Sequence, residues 1–269
     1  MKPLNPGFGD FRNKNIWIIG ASSGIGEACA KHFSAQGANL ILSARRIPRL
    51  EEISSSCLES NSGSGEIHLI PMDVDDEGSV QQAAHQVTEL NLKHSQKIDL
   101  LLFVSGIYEP VRADDFEFSK AFKIINTNLL GPMRVLAEML PTFIKQGNGH
   151  IAIVASVAGY SGLPKSLVYG PTKAALINFT ESLYYDLHPK GISVHLISPG
   201  FVATPATAHN DFQMPALITP EKAAKEIACG LERGDFDIHF PKRFTYFMKF
   251  LRLMPYRVYF WALKSFVKI

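Results

Sequence analysis

Two side chains four residues apart are the first that could do chemistry. In Tyr169-Gly170-Pro171-Thr172-Lys173 the phenol and the ammonium fall on one face if the segment is helical, so they can serve a single site. A free phenol titrates at about pH 10, too high to shuttle protons well at neutrality, but a fixed cation beside it stabilises phenolate and lowers that value. The chemistry suggested is general acid/base transfer at a substrate oxygen. Such a pair is common by chance, and its weight comes from its company: Ser156 ends an apolar run thirteen residues upstream, and Pro199-Gly200 ends the next one.

A second constellation lies near the start. Gly20-Ala21-Ser22-Ser23-Gly24-Ile25-Gly26 follows an apolar run and leads into Glu27 to Gln36, whose composition favours a helix. Glycines at a strand-to-helix turn let backbone amides approach a pyrophosphate at the positive end of the helix. The spacing is G-x-x-x-G-x-G without the Lys-Ser/Thr of a P-loop, which disfavours a nucleoside triphosphate. Farther on, Ser43-Ala44-Arg45-Arg46 closes a second apolar run with no acid before Glu51. An acid there would bind two ribose hydroxyls, whereas a guanidinium pairs with a 2′-phosphate in bidentate fashion. NADP(H) is the expected cofactor and NAD(H) the alternative; in the bland reading Arg45 and Arg46 are solvated charges opening the next helix.

The elements that must position these groups follow from the spacing of apolar runs. Ile16 to Ile19, Asn39 to Ser43, Ile67 to Ile70, Asp99 to Val104, His150 to Ala155 and Ser193 to Ile197 alternate with longer amphipathic stretches, and Phe236 to Phe240 adds a seventh. The runs are apolar at nearly every residue, as in parallel strands covered by helices on both faces. The expectation is an α/β, doubly wound parallel sheet of about seven strands. Residues 1–240 are read as one cofactor-binding catalytic domain with a substrate lid at 201–219, and residues 241–269 as a C-terminal amphipathic extension.

Composition narrows the class. With 269 residues, 46% hydrophobic and 19% charged, the chain can fill a sizeable core, which excludes a disordered or collagen-like protein. Cys29, Cys57 and Cys229 are odd in number and far apart, and the nine histidines show no metal-ligand spacing, so neither a disulfide framework nor a metal is expected. His209, in the lid, is the histidine placed nearest substrate. No leader-like run opens the chain and no long uncharged apolar stretch follows, so a cytoplasmic location is expected. The net charge of +2 hides an asymmetry: seven cations (Lys242, Arg243, Lys249, Arg252, Arg257, Lys264, Lys268) and no acid follow Asp237, leaving 20 basic against 25 acidic residues elsewhere. A uniformly basic nucleic-acid-binding body is excluded, and any anionic partner would meet the tail.

The glycine turn, Ser156, Tyr169-x-x-x-Lys173 and Pro199-Gly200, in this order and spacing, resemble the short-chain dehydrogenase/reductase family of ordinary single-domain type, over roughly Asn15 to Ala203. The resemblance implies a Rossmann-like fold and an oxidoreductase that moves a hydride between nicotinamide and a carbonyl or secondary alcohol. It implies that Tyr169 is the general acid/base, that Lys173 lowers its pKa and holds the nicotinamide ribose, and that Ser156 hydrogen-bonds the substrate oxygen. Asn128, in Asn126-Thr127-Asn128-Leu129-Leu130-Gly131, matches the residue that supports a water linking Lys173 to solvent; Asn126 is its rival by chemistry, but the distance to Gly131 favours Asn128. Gly20, Gly24, Ile25 and Gly26, with Ser22 and Ser23 in the same turn, would cradle the phosphates. Asp73 and Val74 would meet the adenine and Gly106 the adenosine. Val202 and Thr204, in the segment opened by Pro199 and Gly200, would hold the carboxamide.

Two positions depart from the family pattern. Phe103-Val104-Ser105-Gly106 stands where Asn-Asn-Ala-Gly is usual, which puts local sheet hydrogen bonds in question. Pro171 cannot donate an amide and belongs in a first helical turn, so the helix either begins late there or bends.

The substrate pocket should lie beyond the carboxyl ends of the strands, between Val157 to Pro164 and the lid. Val157, Leu163, Phe212, Met214 and Leu217 make it apolar and favour a lipophilic carbonyl or alcohol, unless these residues pack on the core. In the tail, a helix from Tyr256 places Arg257, Lys264 and Lys268 in a narrow sector, with Val258, Tyr259, Phe260, Leu263, Phe266 and Val267 over much of the rest. Such a helix suits peripheral contact with an anionic membrane surface, or packs on a partner subunit or across its own substrate opening. The resemblance implies a homodimer or homotetramer. The rival functions are an NAD-linked alcohol dehydrogenase and a non-catalytic NADP-binding regulator.

Overall fold

Seven short strands, β1 (Asn15–Ile19), β2 (Asn39–Ser43), β3 (Ile67–Leu69), β4 (Leu100–Phe103), β5 (Gly149–Val154), β6 (Ile192–Pro199) and β7 (Asp237–Phe240), form one parallel sheet in the order β3-β2-β1-β4-β5-β6-β7. The computed structural model describes residues 2–60, 65–93, 97–208, 210 and 212–266. His94 and His209, and Val267 and Lys268 of the tail, lie outside the described residues. The doubly wound sheet inferred from the apolar runs is present, each strand within two residues of its run.

Why the runs are apolar throughout is visible in β1. Ile16 and Ile18 point into one core and Trp17 and Ile19 into the other, all essentially without exposure. Trp17 keeps its indole N–H satisfied by donating to Ser43 Oγ at 2.9 Å. Helices α1 (Gly24–Ala35), α2 (Ile47–Ser60) and α7 (Pro220–Arg233) close the first core with Phe33, Leu50 and Ile227. Helices α3 (Glu77–Lys93), α5 (Gly131–Gln146) and α6 (Tyr169–Leu187) close the second with Val87, Phe143 and Leu176. Each such side chain contributes about 1.5–3 kcal/mol over leaving it in water. Helix α4 (Phe118–Ile125) runs through a π turn, Asn126–Leu130, straight into α5.

The strand order reverses between β1 and β4, which opens a crevice beyond their carboxyl ends. Gly20 and Gly106 follow those two strands. The loop between β6 and α7 is pinned at its ends by a bridge between Val202 and Ile218, and Thr204, Thr207, Asn210 and Phe212 within it border the crevice.

The tail adds two helices, α8 (Lys242–Arg252) and α9 (Tyr256–Phe266), whose inner residues Met248, Leu251, Tyr259, Ala262 and Leu263 join the second core. The sequence indicated α9 from its first residue but not α8. Helix α8 hides its period because aromatic residues sit on both faces, with Phe244 part-buried and Tyr246 and Phe250 exposed. No helix among the described residues is long and apolar enough to cross a membrane.

Candidate active site

Helix α6 begins at Tyr169, so Pro171 falls in its first turn, where a missing N–H breaks no interior helical bond. The neighbouring amides are served from the preceding loop, Gly170 N by Ser166 O at 3.0 Å and Thr172 N by Val168 O at 3.2 Å. Lys173, one turn on, is buried; its Nζ donates to Val154 O at 2.9 Å and lies 5.7 Å from the Tyr169 ring centroid. Ser156 stands at the end of β5, where its Oγ accepts from Ala158 N at 3.1 Å and shares a hydrogen bond with the Tyr169 phenol. Tyr108 meets the Tyr169 ring edge-on, centroids 5.0 Å apart.

Burial dominates the electrostatics of the pair. Burial pushes the Tyr169 phenol up to about 12, opposed by the hydrogen bond with Ser156 and assisted by Tyr108. Burial also pushes the Lys173 ammonium down to about 8. The Lys173 ammonium donates one hydrogen bond to the Val154 carbonyl, and the neighbours that shift the phenol beside burial are Ser156 and Tyr108.

Asn128 is fully buried within the π turn and clamps one residue from both sides: Oδ1 accepts from Ile107 N and Nδ2 donates to Ile107 O, each at 2.8 Å. Asn126 faces elsewhere, its Oδ1 accepting from Arg134 Nη2 at 2.7 Å. A Cβ added to Gly106 would lie 3.2 Å from Asn128 Oδ1 and 3.6 Å from Lys173 Nζ, so the two side chains border one small space.

At the other end, glycine is demanded by geometry. Gly20 has φ +93°, and a Cβ on it would meet Ser105 N at 2.6 Å; one on Gly26 would meet Gly20 O at 2.1 Å. Arg46 is tied to this turn, its Nη2 donating to Ser22 O at 3.3 Å and Ser22 Oγ at 3.1 Å, while Arg45 is exposed. The Asp73 carboxylate accepts from Asp75 N at 3.1 Å, and Val74 O accepts from Arg134 Nη1 at 3.1 Å. One cavity of about 490 Å³ runs from Arg45 and Arg46 past Asp73, Val74 and Gly106 to Ser156, Tyr169 and Lys173. Gly20, Ser22, Ser23, Gly24, Ile25, Pro199, Gly200, Val202 and Thr204 also line it; Gly26 and Asn128 are not in the lining and pack behind it.

A sequence profile for the short chain dehydrogenases matches residues 14–214. The chain belongs to the short-chain dehydrogenase/reductase family. Among curated relatives, an uncharacterized oxidoreductase of Myxococcus xanthus is 29% identical over 240 residues, covering 88% of this chain and 91% of the relative. The 11-beta-hydroxysteroid dehydrogenase-like 4A of Arabidopsis thaliana is 33% identical over 229 residues, covering 82% and 74%. Among solved structures, a short-chain dehydrogenase from Sphingobium yanoikuyae in complex with NADPH superposes with a TM-score of 0.75 at 23% identity, covering 85% of this chain and 88% of the other. An alcohol dehydrogenase from the archaeon Thermococcus sibiricus complexed with 5-hydroxy-NADP gives 0.74 at 24% identity, covering 84% and 95%. At these identities the two structures share the Rossmann-like fold, and the family makes this chain an oxidoreductase.

Of the five residues that the sequence placed on the substrate side of this short-chain dehydrogenase/reductase, three line the cavity and two do not. Val157, Leu163 and Phe212 line the cavity, Phe212 packing edge-on against Phe201 at 5.7 Å. Met214 and Leu217 are not in the lining: Met214 Sδ accepts from Asn210 Nδ2 at 3.2 Å within the lid, and Leu217 is exposed. The sequence missed Tyr108, Ser166 and Thr207, which do line it. Thr207 Oγ1 shapes the lid by donating to Val202 O at 2.6 Å and accepting from Thr204 N at 3.0 Å. Ser166 Oγ is buried without a partner among the described residues. An aromatic residue two positions after Gly106 was the one local signal available for Tyr108. The atypical Phe103-Val104-Ser105 keeps the sheet bonded through its backbone, with Val104 N and Ser105 N both donating to Ile19 O, at 2.8 and 2.9 Å.

Proposed function

We propose that this short-chain dehydrogenase/reductase is an NADP(H)-dependent oxidoreductase of a lipophilic carbonyl or secondary alcohol, with Tyr169 as its general acid/base. The observation that carries the reading is a single cavity with two arginines at one end and a phenol, a hydroxyl and an ammonium at the other. The side-chain-free turn and the guanidinium anchored beside it fit a dinucleotide bearing a 2′-phosphate. In this reading Gly20, Ser22, Ser23, Gly24, Ile25 and Gly26 hold the pyrophosphate and Arg45 and Arg46 the 2′-phosphate. Asp73, Val74 and Gly106 flank the adenosine, and Pro199, Gly200, Val202 and Thr204 flank the nicotinamide end. That two proteins of the same fold bind NADPH and 5-hydroxy-NADP favours NADP(H) over NAD(H).

When bound, NADP(H) supplies or accepts the hydride. Tyr169 then gives its proton to the substrate oxygen in reduction, and its neutral phenol, stable up to about pH 12, is loaded for that task. Ser156 donates a second hydrogen bond to the same oxygen as negative charge develops on it. Lys173 holds the cofactor ribose and, across the space it shares with Asn128, returns protons from solvent. Val157, Leu163 and Phe212 favour an apolar substrate. A homodimer or homotetramer is the proposed assembly, with Phe118 and Phe122, exposed one turn apart on α4, as apolar surface for a subunit to cover.

The test is Tyr169→Phe. NADPH binding, read by fluorescence titration, should be unchanged, while turnover on apolar ketones falls by on the order of 100-fold or more. Equal turnover in wild type and variant sinks the assignment, and NADPH binding without turnover by wild type across a broad carbonyl panel returns the protein to the regulator class.

A further inference from the structure

Helices α8 and α9 present two unlike faces. Inward, they are built into the rim of the cavity. Tyr259 Oη donates to Gly162 O at 2.5 Å, in the loop that joins Ser156 to Tyr169. Phe244 packs on Phe201, centroids 5.8 Å apart, and Phe201 in turn on Phe212 of the lid. Outward, Tyr246, Phe250 and Leu253 on α8 and Tyr256, Phe260 and Trp261 on α9 are 54–79% exposed. Apolar surface gathered in this way on two adjacent helices is unusual for a face left in water. Arg243, Arg252, Arg257 and Lys264 are exposed among them. No acid follows Asp237 in the chain, and the Asp237 carboxylate is already engaged by Lys249.

We infer that this face docks on an anionic lipid bilayer. Arg257, Trp261 and Lys264 recur at helical spacing along one stripe of α9, so an indole sits between two cations. An indole prefers the depth of the headgroups, and cations beside it prefer anionic headgroups. No helix among the described residues is long and apolar enough to span, so the docking inferred is at the headgroup level. A second copy of the chain fits this face poorly, because a two-fold contact would set Arg252, Arg257 and Lys264 of each copy against the same cations with no acid of these helices between them. Docking places the rim formed by Leu163, next to Gly162, with Phe201 and Phe212 beside the bilayer, so an apolar substrate dissolved there reaches the cavity without crossing water. That last consequence rests on the lipophilic-substrate reading; the docking itself is measured without turnover.

The experiment sediments the full-length protein with vesicles of phosphatidylglycerol mixed with phosphatidylcholine, and with vesicles of phosphatidylcholine alone. Pelleting is expected with the first and not the second, and added salt should reverse it. Trp17 is fully buried, so a blue shift of tryptophan emission on binding reports Trp261 and disappears in Trp261→Ser. Arg257→Glu combined with Lys264→Glu should lower partitioning by at least about tenfold, since each cation near an anionic surface contributes roughly fivefold. These side chains are exposed, so circular dichroism and turnover on a water-soluble ketone should match wild type. Absence of pelleting, equal pelleting on phosphatidylcholine alone, or unchanged partitioning of the charge-reversed variant overturns the proposal. So does self-association that the same substitutions abolish while vesicle binding is absent, an outcome that assigns the face to a second copy.

Discussion

The ammonium of Lys173 lies 5.7 Å from the centroid of the Tyr169 ring, and burial moves both groups toward their uncharged forms, the lysine down to about 8 and the tyrosine up to about 12. Of the two, only the lysine is charged at neutral pH, and keeping that charge out of water costs the folded chain stability. Lys173 offsets part of its own cost through the hydrogen bond to Val154 O.

That cost is measurable as stability. Lys173 has a folded pKa of about 8 against an ordinary 10.5, so the folded state releases its proton first. Between those values the unfolded chain binds more protons, and wild-type stability rises with pH; below about 8 the full penalty is present. Lys173→Met, which keeps the stem and drops the charge, should therefore stabilise the protein at neutral pH by on the order of 1–3 kcal/mol while abolishing turnover. Urea unfolding across the alkaline range checks the sign, since the gap between variant and wild type should close as pH rises. A gap that is constant with pH would show that burial of the charge is not its cause.

The proposed preference for NADP(H) rests on a different pair. Arg46 Nη2 is held at 3.1 Å from Ser22 Oγ, which aims the guanidinium along the glycine turn. Arg46→Ala should raise KM for NADPH by about tenfold to a hundredfold, the worth of a charge-assisted hydrogen bond, and leave KM for NADH nearly unchanged. Ser22→Ala should give a severalfold effect of the same selectivity, and in the double variant it should add little, because both substitutions remove one arrangement. Equal loss for both nucleotides would assign Arg46 to the pyrophosphate or to the fold.

What the sequence made legible was whatever local backbone geometry dictates. Gly20 and Gly26 were readable because no side chain fits their turn, and the strands because two cores require apolar residues on both faces. Tyr169 and Lys173 were brought to one cavity as their helical spacing implied, yet the pKa of the phenol was not readable, because it depends on burial and on Ser156 and Tyr108, which the fold brings from elsewhere in the chain. Met214 shows the same limit: apolar character put it on the lid, and a contact with Asn210 took it off the cavity. Arg134 and Asn126, and the partnership of Asn128 with Ile107, arise from the π turn, which no residue spacing announced.

Sheet register created one further relationship invisible to local spacing. His150 on β5 and His195 on β6, 45 residues apart, stack with His150 Nδ1 and His195 Nε2 2.9 Å from each other. His195 Nδ1 lies 2.6 Å from Asp235 O, which can only accept, so Nδ1 carries the proton, Nε2 accepts, and His150 Nδ1 donates. Burial pushes His150 down to about 3 and His195 down to about 4. Folded values below the unfolded one mean that the unfolded chain takes up protons first as pH falls. The stability from the neutral pair is thus complete above about pH 6.5 and is lost progressively toward pH 4, with a slope of up to about 1.4 kcal/mol per pH unit for each histidine. His239, hydrogen-bonded to Thr245 and pushed down to about 4, adds a contribution of the same sign, so the informative quantity is a difference between proteins. His150→Gln keeps a donor for His195 and removes one titration, and its unfolding free energy should fall less steeply than that of wild type through the mildly acidic range. Parallel pH profiles for the two proteins would mean that the buried pair does not set the acid limit of this fold.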